Sequence, residues 1–112
     1  MKTADSGDSN YACINVYGSG LYVEKVVVYV RSWKWFPPWP ATVCDVKAEA
    51  WGNEEGQNPW SRNGRNATCN NLSTSVEFVL NKRMVPYTDI CARAAAEEKA
   101  PNEPPVCLKI YP

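Results

Sequence analysis

Histidine is absent from all 112 residues. That removes the commonest general base, the Ser-His-Asp and Cys-His arrangements, and the usual nitrogen ligand of zinc. Net charge is also absent: 12 Lys plus Arg balance 12 Asp plus Glu. No summed field draws nucleic acid or an anionic membrane surface, so neither is an expected partner. Long apolar runs are missing too. The longest, Val26 to Val30, is bounded by Lys25 and Arg31 and falls far short of the roughly 20 residues a spanning helix needs, so membrane insertion is not expected. No Cys-x-x-C pair and no glycine-rich phosphate loop occurs. With no metal-ligand spacing and no nucleophile beside an evident base, the expectation is a chain without catalytic residues, metal or cofactor.

What is present is cysteine, tryptophan and proline: 5, 5 and 9 residues. Five cysteines in a short chain read as disulfides in an oxidising compartment, where small domains supplement a limited core with cross-links. The expected localisation is extracellular. The first ten residues lack the apolar core of a signal peptide, and the cysteines favour an exported chain whose leader has been replaced by Met1.

Residues 1–10 are dominated by Asp5, Ser6, Gly7, Asp8, Ser9 and Asn10. Such a stretch buries too little surface to offset its ordering entropy and is read as a flexible polar arm. From Tyr11 onward, in a single domain over 11–112, short runs rich in Val, Ile, Tyr and Trp alternate with Gly, Pro and Asn clusters, the signature of successive strands. Ala12 to Tyr17 places Ala12, Ile14 and Val16 on one face, and Gly18-Ser-Gly20 supplies a turn. Leu21 to Ser32 is the longest strand, with Val26, Val28 and Val30 on one side. Ala41 to Trp51 alternates most cleanly, with Cys44, Val46, Ala48 and Ala50 inward and Asp45, Lys47 and Glu49 toward water.

Gly52 to Asn71 holds Gly52, Gly56, Gly64 and several Asn, and reads as a long loop or irregular hairpin anchored by Trp60. Thr74 to Leu80 resumes alternation through Val76, Phe78 and Leu80, and Asn81-Lys-Arg83 turns the chain. Tyr87 to Ala95 and Val106 to Tyr111 complete the set. Helix propensity over Ala92 to Ala100 offers a rival, but a lone helix under about 12 residues is marginal and strand followed by loop is preferred. Six or seven strands in this length predict an all-β fold, a small antiparallel β-sandwich of immunoglobulin-like type braced by disulfides.

Cys44 and Cys69 flank the Gly-rich segment, and Cys91 and Cys107 flank the last turn-rich one, so these are the expected pairs. Cys13 then remains unpaired, and a buried free thiol is preferred over a covalent bond to another chain because the strand around it reads as packed. Asn66-Ala-Thr68 and Asn71-Leu-Ser73 fit the glycosylation triplet, which carries meaning only in a eukaryotic host.

Leu21-Tyr-Val-Glu-Lys-Val, Cys44-Asp-Val-Lys-Ala-Glu-Ala-Trp-Gly52, Cys91-Ala-Arg93 and Pro105-Val-Cys-Leu-Lys-Ile110 together resemble small secreted actinobacterial β-sandwich proteins. Within that group, a polar arm on a compact disulfide-bonded sandwich is similar to the small adaptor subunit of umbrella-shaped toxin particles. The resemblance implies a bridge between larger proteins in a toxin complex, without catalysis.

The most unusual local feature is Trp33-Lys-Trp-Phe-Pro-Pro-Trp-Pro40. Its three prolines fix φ and stiffen what reads as a loop rather than an ordinary strand, lowering the entropy lost on binding. Trp33, Trp35, Phe36 and Trp39 are expected to contact a protein partner, because contiguous exposed aromatics mark interaction surfaces. Asp5, Asp8 and Tyr11 of the arm are expected to contribute a separate contact site. Two alternatives compete. One is carbohydrate binding on the same tryptophans, with Glu54, Glu55, Gln57 and Asn58 alongside; the other is enzyme inhibition through the loop carrying Asn102-Glu-Pro-Pro105. A glycosidase built on Glu54 and Glu55 is disfavoured, since adjacent turn carboxylates are ordinarily solvated.

Overall fold

The computed structural model describes the backbone of residues 2–5, 10–35, 38–40, 42–96 and 105–112, and the side chains of 12–31, 42–96 and 105–112. Nine strands follow in chain order: β1 (Lys2–Asp5), β2 (Asn10–Ser19), β3 (Tyr22–Trp35), β4 (Pro38–Pro40), β5 (Thr42–Glu54), β6 (Asn58–Asn71), β7 (Ser73–Arg83), β8 (Asp89–Ala96) and β9 (Val106–Lys109). Seven of them form two antiparallel layers, β2-β3-β7 and β6-β5-β8-β9, with β1 added along β2 and β4 paired to the far end of β3. The expected disulfide-braced sandwich is the fold, and no helix occurs among the described residues.

Period-2 alternation builds the core. Ile14, Val26, Val28 and Val76 from one layer meet Val46, Ala50, Ile90 and Ala92 from the other, all nearly or fully buried. Both bridges join directly opposed residues of neighbouring strands, Cys44 with Cys69 and Cys91 with Cys107, each with Cα atoms 4.1 Å apart. They staple strands within one layer, unlike the inter-sheet bridge of antibody domains. Cys13 is outside any disulfide and is buried.

Several local expectations are corrected. Of the two readings of Gly52 to Asn71, the hairpin is the one formed and the long loop is not: β6 runs for 14 residues against β5, and the turn is confined to residues 55–57. Asn81 to Arg83 belongs to β7, and the chain turns at residues 86 and 87 instead. Cys44 is half-buried rather than inward, because Asp45 adopts φ 52° in a bulge that shifts the register and puts Val43 and Val46 both in the core. Over the span read as a polar arm, Lys2–Asp5 pairs with β2 as β1, and residues 6–9 lie outside the described residues. The strand preferred over a helix near Ala92 extends to Ala96, beyond which 97–104 are not described.

Gly64 sits where β6 crosses the opposite layer. A Cβ built there would lie 2.7 Å from Val76 Cγ1 and 3.0 Å from the Phe78 ring. Gly64→Val is therefore expected to overpack the core and to lower the unfolding free energy by about 1 to 3 kcal/mol in urea titration. A change below measurement error would show that β6 can shift freely.

Candidate functional site

The tryptophan-rich segment begins where the layers end. β3 pairs with β2 as far as Ser32 and with β7 as far as Arg31. Beyond that its described partner is β4, with Trp33 opposite Pro40, Lys34 opposite Trp39 and Trp35 opposite Pro38. The expected loop is thus a two-stranded ribbon prolonging β3. Proline is tolerated in β4 because an edge strand can leave the missing donors on its solvent side. Phe36 and Asp8, and the side chains of Trp33, Trp35, Trp39, Asp5 and Tyr11, lie outside the described residues.

Register brings the two expected contact sites together. Tyr11 is opposite Arg31, two residues before the ribbon, and Asp5 is opposite Cys13. Asp5 at the end of β1 and Asn10 at the start of β2 therefore lie at the same end of the sandwich from which β3 extends to pair with β4.

Glu54, Glu55, Gln57 and Asn58 lie at the other end. Arg83 is opposite Tyr22 at the start of β3, and its Nε donates to Glu55 Oε2 at 3.0 Å. Lys82 Nζ is 3.0 Å from Glu54 Oε2. The molecule is 48 Å long, the span expected of a 14-residue strand at roughly 3.3 Å per residue. The described backbone of Trp33 and Trp35 thus lies at the end of β3 remote from these carboxylates, and both glutamates are surface ion-pair partners. This end also exposes Tyr22, Tyr87 and Tyr111; the last two rings meet edge to face at 5.8 Å. Asn102, Glu103 and Pro104 are outside the described residues.

The solvent face of β6-β5-β8 carries a second arrangement, which strand alternation alone did not reveal. In one register row Lys47 lies opposite Arg65 and Ala95; in another Glu49 lies opposite Asn63 and Arg93. Between them, Ala48 opposite Gly64 and Ala94 turns inward, leaving an open groove of about 590 Å³ floored by main chain. Arg65 clasps Asp45 through two hydrogen bonds, Nη2 reaching Oδ2 at 3.0 Å. That hydrogen bonding is the largest influence and holds the Asp45 carboxyl below its ordinary value; burial opposes it, and the charges of Arg65 and then Lys47 add to the lowering. Arg93 Nη1 is 3.8 Å from Glu49 Oε1, and its guanidinium lies 5.5 Å from the centre of the Trp51 ring.

Asp89, Cys91 and Cys107 offer ligand atoms within 4.8 Å of one another. Both sulfurs are consumed in the bridge, which leaves no thiolate for a metal. Comparison with protein-family models, curated proteins and solved structures finds no match to this chain.

Proposed function

We propose that this chain is a secreted, non-catalytic protein-binding module that bridges larger extracellular proteins. The observation that carries the reading is the register that sets Asp5, Asn10 and Tyr11 at the end of the paired layers from which β3 runs on to pair with β4. A proline-stiffened ribbon loses little entropy on docking, and tryptophan is the residue type most enriched among energetic anchors of interfaces. Two disulfides suit an oxidising, extracellular setting. The likeness to a toxin-particle adaptor points the same way. The exposed tyrosines at the opposite end offer a second contact, which a bridge requires.

The test is capture of partners from the native secretome, followed by affinity measurement on each partner with Trp35→Ala, Trp39→Ala and a variant lacking residues 2–10. Loss of an aromatic anchor costs about 2 kcal/mol or more, so either tryptophan variant should bind about thirtyfold more weakly at unchanged melting temperature. A lowered melting temperature with intact affinity would assign the tryptophans to the core and remove the proposal for the ribbon. Loss of one partner but not another in a Tyr87→Ala, Tyr111→Ala double variant would identify the second end.

A further inference from the structure

We infer that the groove across β6-β5-β8 is a binding site for an oligosaccharide that carries a carboxylate. Its floor decides against a peptide. The N–H and C=O groups of β5 are engaged by β6 on one side and β8 on the other, so an extended chain laid across them finds no main-chain partners. Recognition falls to the walls, and these combine donors with acceptors: Lys47, Arg65 and Arg93 donate, Glu49 accepts, and the Asn63 amide does both. Sugar hydroxyls, each a donor and an acceptor, need that mixture.

Charge selects an anionic sugar. Arg65 is matched by Asp45 and Arg93 by Glu49, whereas no carboxylate among the described residues lies in ion-pair range of Lys47. Lys47 acts at longer range on the Asp45 carboxylate that Arg65 already clasps, so three cations share two carboxylates and the cluster keeps a net charge of +1, which a single carboxylate of the ligand would meet. The walls are also held before any ligand arrives. Asp45 fixes Arg65, while Glu49 and the Trp51 ring fix Arg93, so fewer rotamers are lost on binding. Trp51, half-buried in the next row opposite Ser61 and Cys91, supplies an aromatic surface beside the groove.

The experiment is a ¹⁵N-HSQC titration of the full chain with trigalacturonate, maltotriose and the tetrapeptide acetyl-Glu-Val-Glu-Val-amide. Saturable shifts with trigalacturonate are expected at Lys47, Glu49, Asn63, Arg65, Arg93 and the Trp51 indole. Maltotriose should bind at least tenfold more weakly. Lys47→Met should weaken trigalacturonate about tenfold while leaving the rest of the spectrum in place, and Trp35→Ala should leave this binding unchanged. The inference is overturned if trigalacturonate gives no saturable shift at these residues, if maltotriose binds equally well, or if the peptide binds there more tightly than the sugar. Because the ribbon variants and the groove variants are read separately, failure here leaves the adaptor reading untouched, and the reverse holds too.

Discussion

Trp60→Ala should be the most damaging single substitution in the described part of the chain, costing about 3 to 5 kcal/mol, the usual range for truncating a buried tryptophan. At roughly 4 °C per kcal/mol for a domain of this size, the melting temperature should fall by about 12 to 20 °C. Trp60 is the one buried residue of β6; eleven of the other thirteen are exposed. Its ring covers Gly52 on the neighbouring strand, where a built Cβ would lie 3.0 Å from the indole. Its Nε1–H points to Met84 Sδ at 3.3 Å, and Met84 is itself almost fully buried. Truncation would therefore open a cavity shared by β5, β6 and Met84, and would release the start of β6. Amide exchange should accelerate first in residues 58–64, with β2 and β3 protected until global unfolding. Trp60→Phe keeps most of the apolar contact and should recover more than half of the loss. A loss under about 1 kcal/mol for the alanine variant would show that β6 is held by its ladder alone.

The same strand marks the boundary of what the sequence could disclose. β2, β3 and β7 were legible because each alternates apolar and polar residues with period 2 against a buried layer. β6 was not, since Asn58 to Asn71 holds five Asn, two Arg, a Gly and a Pro among its fourteen residues, a composition depleted in strand formers. Pairing along β5 overrides that weak propensity, and only Trp60 gave a local hint. The Asp45 bulge was hidden for another reason: a positive φ leaves no trace in hydrophobic spacing. Asp is nonetheless among the residues that tolerate it, a signal that could have been used.

The groove was half visible. Lys47 and Glu49 were read correctly as solvent-facing, but their neighbours Asn63, Arg65 and Arg93 come from β6 and β8, and only strand order and register reveal that they meet. The tryptophan-rich ribbon stood out by composition, and its continuity with β3 did not. Three prolines in eight residues argue locally for a loop. The short strand forms because β3 is already extended and presents an edge against which Pro38 to Pro40 can lie.

Removing either disulfide should lower the unfolding free energy by about 3 kcal/mol, and removing both by about 6 kcal/mol, a large share of the 5 to 15 kcal/mol typical of a domain. Cys44 and Cys69 are separated by 25 residues, Cys91 and Cys107 by 16. Loop-closure entropy rises only with the logarithm of length, so the two bridges constrain the unfolded chain almost equally. Their folded-state consequences differ. The first staples the end of β6 remote from Trp60, and Cys44→Ala with Cys69→Ala should fray that strand from Asn71 backward. The second ties β9, four residues long, to β8, so its loss should expose Val106 and Ile110, both buried in the native domain. Cys13 supplies an internal reporter. The residue is 3% exposed, so in the oxidised protein its thiol should react with a thiol reagent only when the domain opens, and each double variant should label faster in step with its lost stability. A labelling rate or urea midpoint equal to wild type in both double variants would show that the bridges follow the fold without supporting it.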